Sequence, residues 1–115
     1  AGACVVSNYL VTLVDFGTRL LEAAGIPKET AVTALFPLIE GTLANIRKVG
    51  IPQALTGPIA RGDIATIQEH ITTMEGVAPD LISLYRSLGS QTVEVAERKG
   101  SITGERAQEL QKVLR

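Results

Sequence analysis

A chain of 115 residues with 45% hydrophobic and 20% charged residues and a net charge of −1 has the composition of one ordinary globular domain, long enough to hold a core without a disulfide or a metal. The near-neutral charge, with two Phe, two Tyr and no Trp, offers neither a basic footprint nor a stacking platform and speaks against nucleic acid as a partner. Cys4 and His70 are the sole residues of their types, which excludes a disulfide within the chain and a His/Cys zinc site built by one copy, and fits a reducing, cytoplasmic setting.

The first helix is predicted over residues 2–24, because Gly25 supplies a left-handed stop and Pro27 blocks continuation. Residues 1–14 carry no charge. From Val5 to Val14 the pattern is apolar nearly all round, whereas Asp15, Arg19 and Glu22 mark a wet side opposite Leu20, Leu21 and Ala24. A helix that is apolar all round is covered on all sides. A domain of this size cannot cover a helix of about 35 Å by itself, so a partner domain or a second subunit is expected over it. The charge-free run is too short to span a bilayer and lacks the basic leader of a signal peptide; no membrane is expected. The chain opens without Met and directly in the body of a helix, so a further segment is expected upstream.

A second helix is predicted over residues 28–49, with Ala31, Val32, Leu35, Phe36, Leu38, Ile39, Leu43 and Ile46 as a broad apolar stripe. Pro37 falls inside it and predicts a kink, since an interior proline removes one hydrogen bond and clashes one turn back, eased by Gly41 four residues on. Residues 51–63 read as an irregular stretch, closed by Asp63 as N-cap of a third helix whose Ile64, Ile67, Ile71 and Met74 share one face. A fourth helix from Pro79 carries Leu81, Leu84, Tyr85, Leu88, Thr92, Val95 and Ala96 inward and stops at Arg98, Lys99 and Gly100. A short fifth helix follows Thr103, with Ala107, Leu110 and Leu114 as its stripe. No segment alternates with period two, so the expected fold is all-α, a bundle of about five helices in a single domain spanning residues 1–115.

Several groups could carry chemistry. Gly57 and Gly62 flank four residues in the manner of a phosphate loop, but Asp63 stands where a lysine is required, and the loop follows a helix rather than a strand. Arg61-Gly62-Asp63 spells an adhesion tripeptide, which three residues do by chance. The fuller reading is a loop stiffened by glycine and proline that delivers the Arg61 guanidinium beside the start of the third helix, to hold a carboxylate or phosphate. The competing reading pairs Arg61 with a neighbouring carboxylate and leaves Asp63 as a cap alone. Ser7 and Asn8 interrupt the apolar first helix, either as paired structural groups or facing a ligand, which an amide with one acceptor and two donors can orient. His70, on the flank of the third helix, reads as a histidine without a catalytic task, Cys4 as a small core residue, and Tyr9 and Tyr85 as core or interface aromatics.

Ser7-Asn8-Tyr9-Leu10, Phe36-Pro37-Leu38-Ile39-Glu40-Gly41-Thr42 and above all Leu55-Thr56-Gly57-Pro58-Ile59-Ala60-Arg61-Gly62-Asp63 resemble, in this order and spacing, the helical C-terminal domain of uncharacterised bacterial proteins with a Rossmann-like NAD(P)-binding domain at their N-terminus. The resemblance covers essentially the whole chain. Those proteins belong to the wider group of pyrroline-carboxylate reductase, the β-hydroxyacid dehydrogenases and 6-phosphogluconate dehydrogenase. It implies a fold like the C-terminal domain of 6-phosphogluconate dehydrogenase, a homodimer formed through the first and second helices, and a cleft for a small-molecule substrate. NAD or NADP would be bound mainly by an N-terminal domain that this chain does not contain. Ser7 and Asn8 would orient the substrate, and Thr56, Gly57, Pro58 and Arg61 would bind it. The Tyr-His pair that such proteins carry just before the position of Ala1 is absent from this chain. A non-catalytic helical interaction module is the alternative.

Overall fold

A computed structural model describes all residues, 1–115. The chain is all-α, in the order α1 (Gly2–Ala23), α2 (Lys28–Val49), α3 (Ile64–Val77), a 3₁₀ turn (Pro79–Leu81), α4 (Ile82–Lys99) and α5 (Gly104–Val113), with no strand. It divides into two compact units, Ala1–Thr42 and Leu43–Arg115.

In the first unit α1 ends where Gly25 turns left-handed at φ +94°. Its departing carbonyls are taken up by the Gly25 N–H, which donates to Glu22 O, and the Ile26 N–H, which donates to Leu21 O (2.9 and 3.0 Å), the stop that a glycine at this position provides. Small residues set the packing of α1 on α2: a Cβ on Gly17 would sit 3.5 Å from Leu35 Cδ1, and Ala31 is fully buried. α2 runs unbroken through Pro37. The predicted α2 stripe is covered only in its first half. Ala31 is buried and Val32, Leu35 and Ile39 are half-buried, whereas Phe36, Leu38, Leu43 and Ile46 are exposed. On α1 the apolar residues Val5, Val6, Tyr9, Leu10, Val11 and Leu13 are all exposed. Cys4 is exposed as well, contrary to a core role, because this end of α1 has no neighbour in its own unit to cover it.

Thr18 is the one buried polar side chain, 2% exposed, and its Oγ1 has no hydrogen-bond partner. A buried hydroxyl without a partner loses its hydration for nothing, at a cost of about 1–3 kcal/mol. Thr18→Val, which keeps the shape and removes the hydroxyl, is therefore expected to raise stability by about 1 kcal/mol, read as a higher urea midpoint.

The second unit holds the larger core, in which Ile67 and Ile71 of α3, Val93 and Ala96 of α4, Ala107 and Leu110 of α5 and Leu114 just after it close around Ile59 of the preceding loop. The expected caps form. Asp63 accepts from the Thr66 N–H, Thr103 accepts from the Arg106 N–H, and Gly100 ends α4 at φ +78°. The α3 and α5 stripes are buried as their spacing predicts, with Ile64 half-buried. The inward face of α4 differs. Of the residues expected inward from this stretch, Leu81 of the 3₁₀ turn and Ala96 are buried, Leu84, Tyr85, Thr92 and Val95 are half-buried and Leu88 is exposed, while Gly89 and Val93 are buried as well. The cause is Gly89, where a Cβ would stand 2.7 Å from Leu114 Cδ2. The missing side chain admits Leu114, α5 packs on that line, and the buried face of α4 turns by about one residue from the one its leucines predict.

Candidate functional site

Residues 51–63 form a loop fixed by its own backbone. The Arg61 N–H donates to Gly57 O (3.1 Å), the Gly62 N–H to Ile59 O (3.0 Å) and the Asp63 N–H to Pro58 O (2.8 Å). Gly57 and Gly62 take φ of +95° and +67°, a region that L side chains enter only at a cost. Gly62 also leaves no room, since a Cβ there would lie 2.9 Å from Arg106 Cγ. Ile59 and Ala60 are buried, and Lys99 Nζ donates to Leu55 O at 2.6 Å. The loop is thus pinned to the core at its centre and tied to the end of α4 at its start, and Arg61 projects from it with 63% of its side chain exposed.

Arg61 Nη2 lies 3.8 Å from Asp63 Oδ2, so the guanidinium and the capping carboxylate form the neighbouring pair that the simpler sequence reading anticipates. The Asp63 carboxyl does more than cap. Its Oδ1 accepts from the Thr66 N–H at 3.1 Å and its Oδ2 from the Thr66 hydroxyl at 2.7 Å. The Thr66 hydroxyl, the Thr66 N–H and, behind them, the positive charges of Arg61 and His70 hold the Asp63 carboxyl below its usual value of 3.8. A carboxyl depressed on folding contributes stability that is complete above that usual value and lost as pH falls through the lower, folded one. Asp63→Ala is accordingly expected to lower the melting temperature at pH 7, and the difference from the parent chain should vanish in acid well below pH 3.8.

Two residues that the sequence leaves without a task come together here. His70 Nδ1 and Tyr85 Oη are 2.9 Å apart, with the rings edge to face at a centroid distance of 6.0 Å. Tyr85 is half-buried and His70 exposed. Burial pushes the Tyr85 hydroxyl above its ordinary value, so the phenol stays protonated and serves as a hydrogen-bonding group. Asp63 and His70 are seven residues apart, which returns a helix to nearly the same azimuth two turns on, about 10 Å along the axis. That spacing is visible in the sequence; the pairing across 15 residues with Tyr85 of α4 is not.

The other candidates fall in different places. Thr56, Gly57 and Pro58 share the Arg61 loop, with Thr56 exposed and Gly57 and Pro58 half-buried. Ser7 and Asn8 belong to the first unit, both exposed, and Asn8 Nδ2 donates to Cys4 Sγ one turn back at 3.1 Å. In that unit α1 and α2 also line an open groove of about 390 Å³, apolar along Leu10, Val14, Val32, Phe36 and Ile39, with Asp15 and Lys28 among its lining residues. α1 as a whole is long and apolar enough to cross a membrane by length and composition, with 6% of its most apolar stretch buried. The charge-free run ends at Val14, but the helix continues through Asp15 and Arg19 to Ala23. No group of three or more His, Cys, Asp or Glu side chains is placed to hold a metal.

Residues 1–92 match the model of a family described as a domain of unknown function (DUF2520), and the chain belongs to that family. No curated protein and no solved structure matches it.

Proposed function

We propose that this member of the DUF2520 family is the dimerisation and substrate-cleft domain of an NAD(P)-dependent oxidoreductase that acts on a small anionic metabolite. The observation that carries the reading is Arg61: a solvent-facing guanidinium on a loop whose backbone is hydrogen-bonded to itself and anchored through buried Ile59 and Ala60. A loop whose backbone is fixed before a ligand arrives loses little freedom on binding it, and a guanidinium suits a carboxylate or phosphate. Thr56, Gly57 and Pro58 shape the same loop. Ser7 and Asn8 are the exposed polar groups that α1 offers to a substrate.

These 115 residues hold no strand, turn and helix in succession that could cradle a dinucleotide. In this reading NAD or NADP is held by a further domain, and this chain supplies binding and orientation. The exposed apolar residues of α1 and α2 support the homodimer. Asp15 and Arg19 inside α1 favour a protein partner over a bilayer, since a charged side chain near the middle of a spanning helix costs about 2.5–3.5 kcal/mol.

In the intact protein Arg61→Ala is expected to lower kcat/KM about tenfold to a hundredfold, the equivalent of the 1.5–3 kcal/mol of a hydrogen bond to a charged group. Unchanged turnover of substrate and cofactor would remove that role. The bond from Asn8 to Cys4 within α1 favours the second reading, a non-catalytic interaction module. Asn8→Leu separates the two: it should cost activity while stability barely moves under the first, and leave function intact under the second.

A further inference from the structure

We propose that the groove between α1 and α2 binds a linear alkyl carboxylate, with the carboxylate between Thr18 and Lys28 and the chain laid past Val14 and Val32 toward Leu10, Phe36 and Ile39. The site is formed by residues of the first unit alone and does not depend on the role given to Arg61.

Thr18 lines the groove at 2% exposure, and its Oγ1 has no hydrogen-bond partner. Thr12, Thr33 and Thr42 of the same two helices each donate to the carbonyl one turn back. Thr18 does not. Threonine in a helix divides between two rotamers, so a hydroxyl that no bond holds is free to exchange places with its methyl and face the groove. Left unpaired it destabilises the chain, and a ligand oxygen that meets it removes that penalty.

The remaining lining sets the class of ligand. The groove holds about 390 Å³, within the range of about 300–1,000 Å³ of small-molecule sites, and its walls are aliphatic apart from Phe36. Thr18 and Lys28 are the lining residues nearest in sequence to the turn that joins the helices, and Leu10 and Ile39 the farthest. A polar head therefore belongs at one end and an apolar tail at the other. Lys28 is exposed and takes part in no ion pair, so its ammonium is available to an anion. Asp15 on the rim would repel a second negative charge, which selects a monoanion. Lys28 and Ile39 are separated by about 16 Å along α2, the span of an extended chain of roughly ten to twelve carbons at a C–C length of about 1.5 Å. An apolar side chain from a second copy would fill the groove but leave Thr18 unpaired. The exposed row Val6, Tyr9 and Leu13 lies roughly a third of a turn round α1 from Leu10, Val14 and Thr18, so a contact made by that row does not itself fill the groove.

Decanoate titrated calorimetrically into the whole chain is the test. Saturable binding is expected, with octanoate about tenfold weaker for the two methylenes it lacks. Thr18→Val should raise the urea midpoint of the free chain and yet weaken decanoate about tenfold or more, the loss of a hydrogen bond to a charged group; a packing role alone would not part the two readouts. Lys28→Gln should weaken decanoate and leave decanol unchanged. Val6→Glu combined with Leu13→Glu should bind decanoate as the parent does. Absence of saturable binding, or parental affinity in Thr18→Val or Lys28→Gln, overturns the proposal. Binding lost in the double variant assigns decanoate to the exposed row, and affinity that falls as the chain concentration rises assigns the groove to a second copy; either result overturns it too.

Discussion

Leu110→Ala is expected to cost about 3 kcal/mol of stability, within the 2–5 kcal/mol that truncating a buried leucine removes. Leu110 is wholly buried, at the meeting of α3, α4 and α5 with Ile59 of the loop. The loss combines the transfer energy of the deleted carbons with the cavity left behind, and the collapse that could fill the cavity is opposed by three helices fixed at their own caps. Small domains hold about 5–15 kcal/mol in all, so the variant should unfold at a clearly lower urea concentration. Leu88→Ala is the control. Leu88 has the spacing of a core residue on α4 but keeps 36% of its surface exposed, and its truncation should cost clearly less, about 1 kcal/mol. Equal losses in the two variants would mean that the buried face of α4 is the one its leucines predict and not the one that runs through Gly89.

That comparison also marks where the sequence is legible. Helix positions follow from punctuation, and Gly25, Gly100, Asp63 and Thr103 act at the ends they predict, because caps and left-handed stops are settled by neighbours in the chain. The α3 and α5 stripes are legible too, since each buries one row of aliphatic residues. α4 misleads because its choice of face depends on a void: Gly89 matters for the side chain it lacks, and only the arrival of Leu114 turns that lack into a packing site. The Arg61 loop divides in the same way. Its rigidity is written in Gly57, Pro58 and Gly62, and the cap in Asp63, whereas the anchoring through Ile59 and Ala60 and the link from Lys99 to Leu55 O are tertiary. The bond between His70 and Tyr85 joins two helices, and no periodicity within one helix can announce it. Thr18 sits in α1 as an ordinary small polar residue by pattern, and its burial without a partner emerges only in the folded chain.

The apolar surface of α1 leads to the second large effect. Val6, Tyr9 and Leu13 follow one another at intervals of three and four residues, so they form a single seam, and they are 70%, 60% and 43% exposed. Such a seam on an isolated chain is the mark of an interface. Under the proposed dimer the parent chain sediments at twice the mass of a single copy. Val6→Glu combined with Leu13→Glu should bring it to the single mass, because two carboxylates would have to leave water without partners, weakening association by about 4 kcal/mol or more, a thousandfold in Kd. Glutamate is a good helix former, so the circular dichroism of the helices should persist and loss of association cannot be ascribed to unfolding. A parent chain that sediments at the single mass removes the homodimer. A parent chain that instead partitions onto neutral lipid vesicles, with the double variant left in solution, assigns the seam to a bilayer, and the charges of Asp15 and Arg19 would then have to lie at its edge.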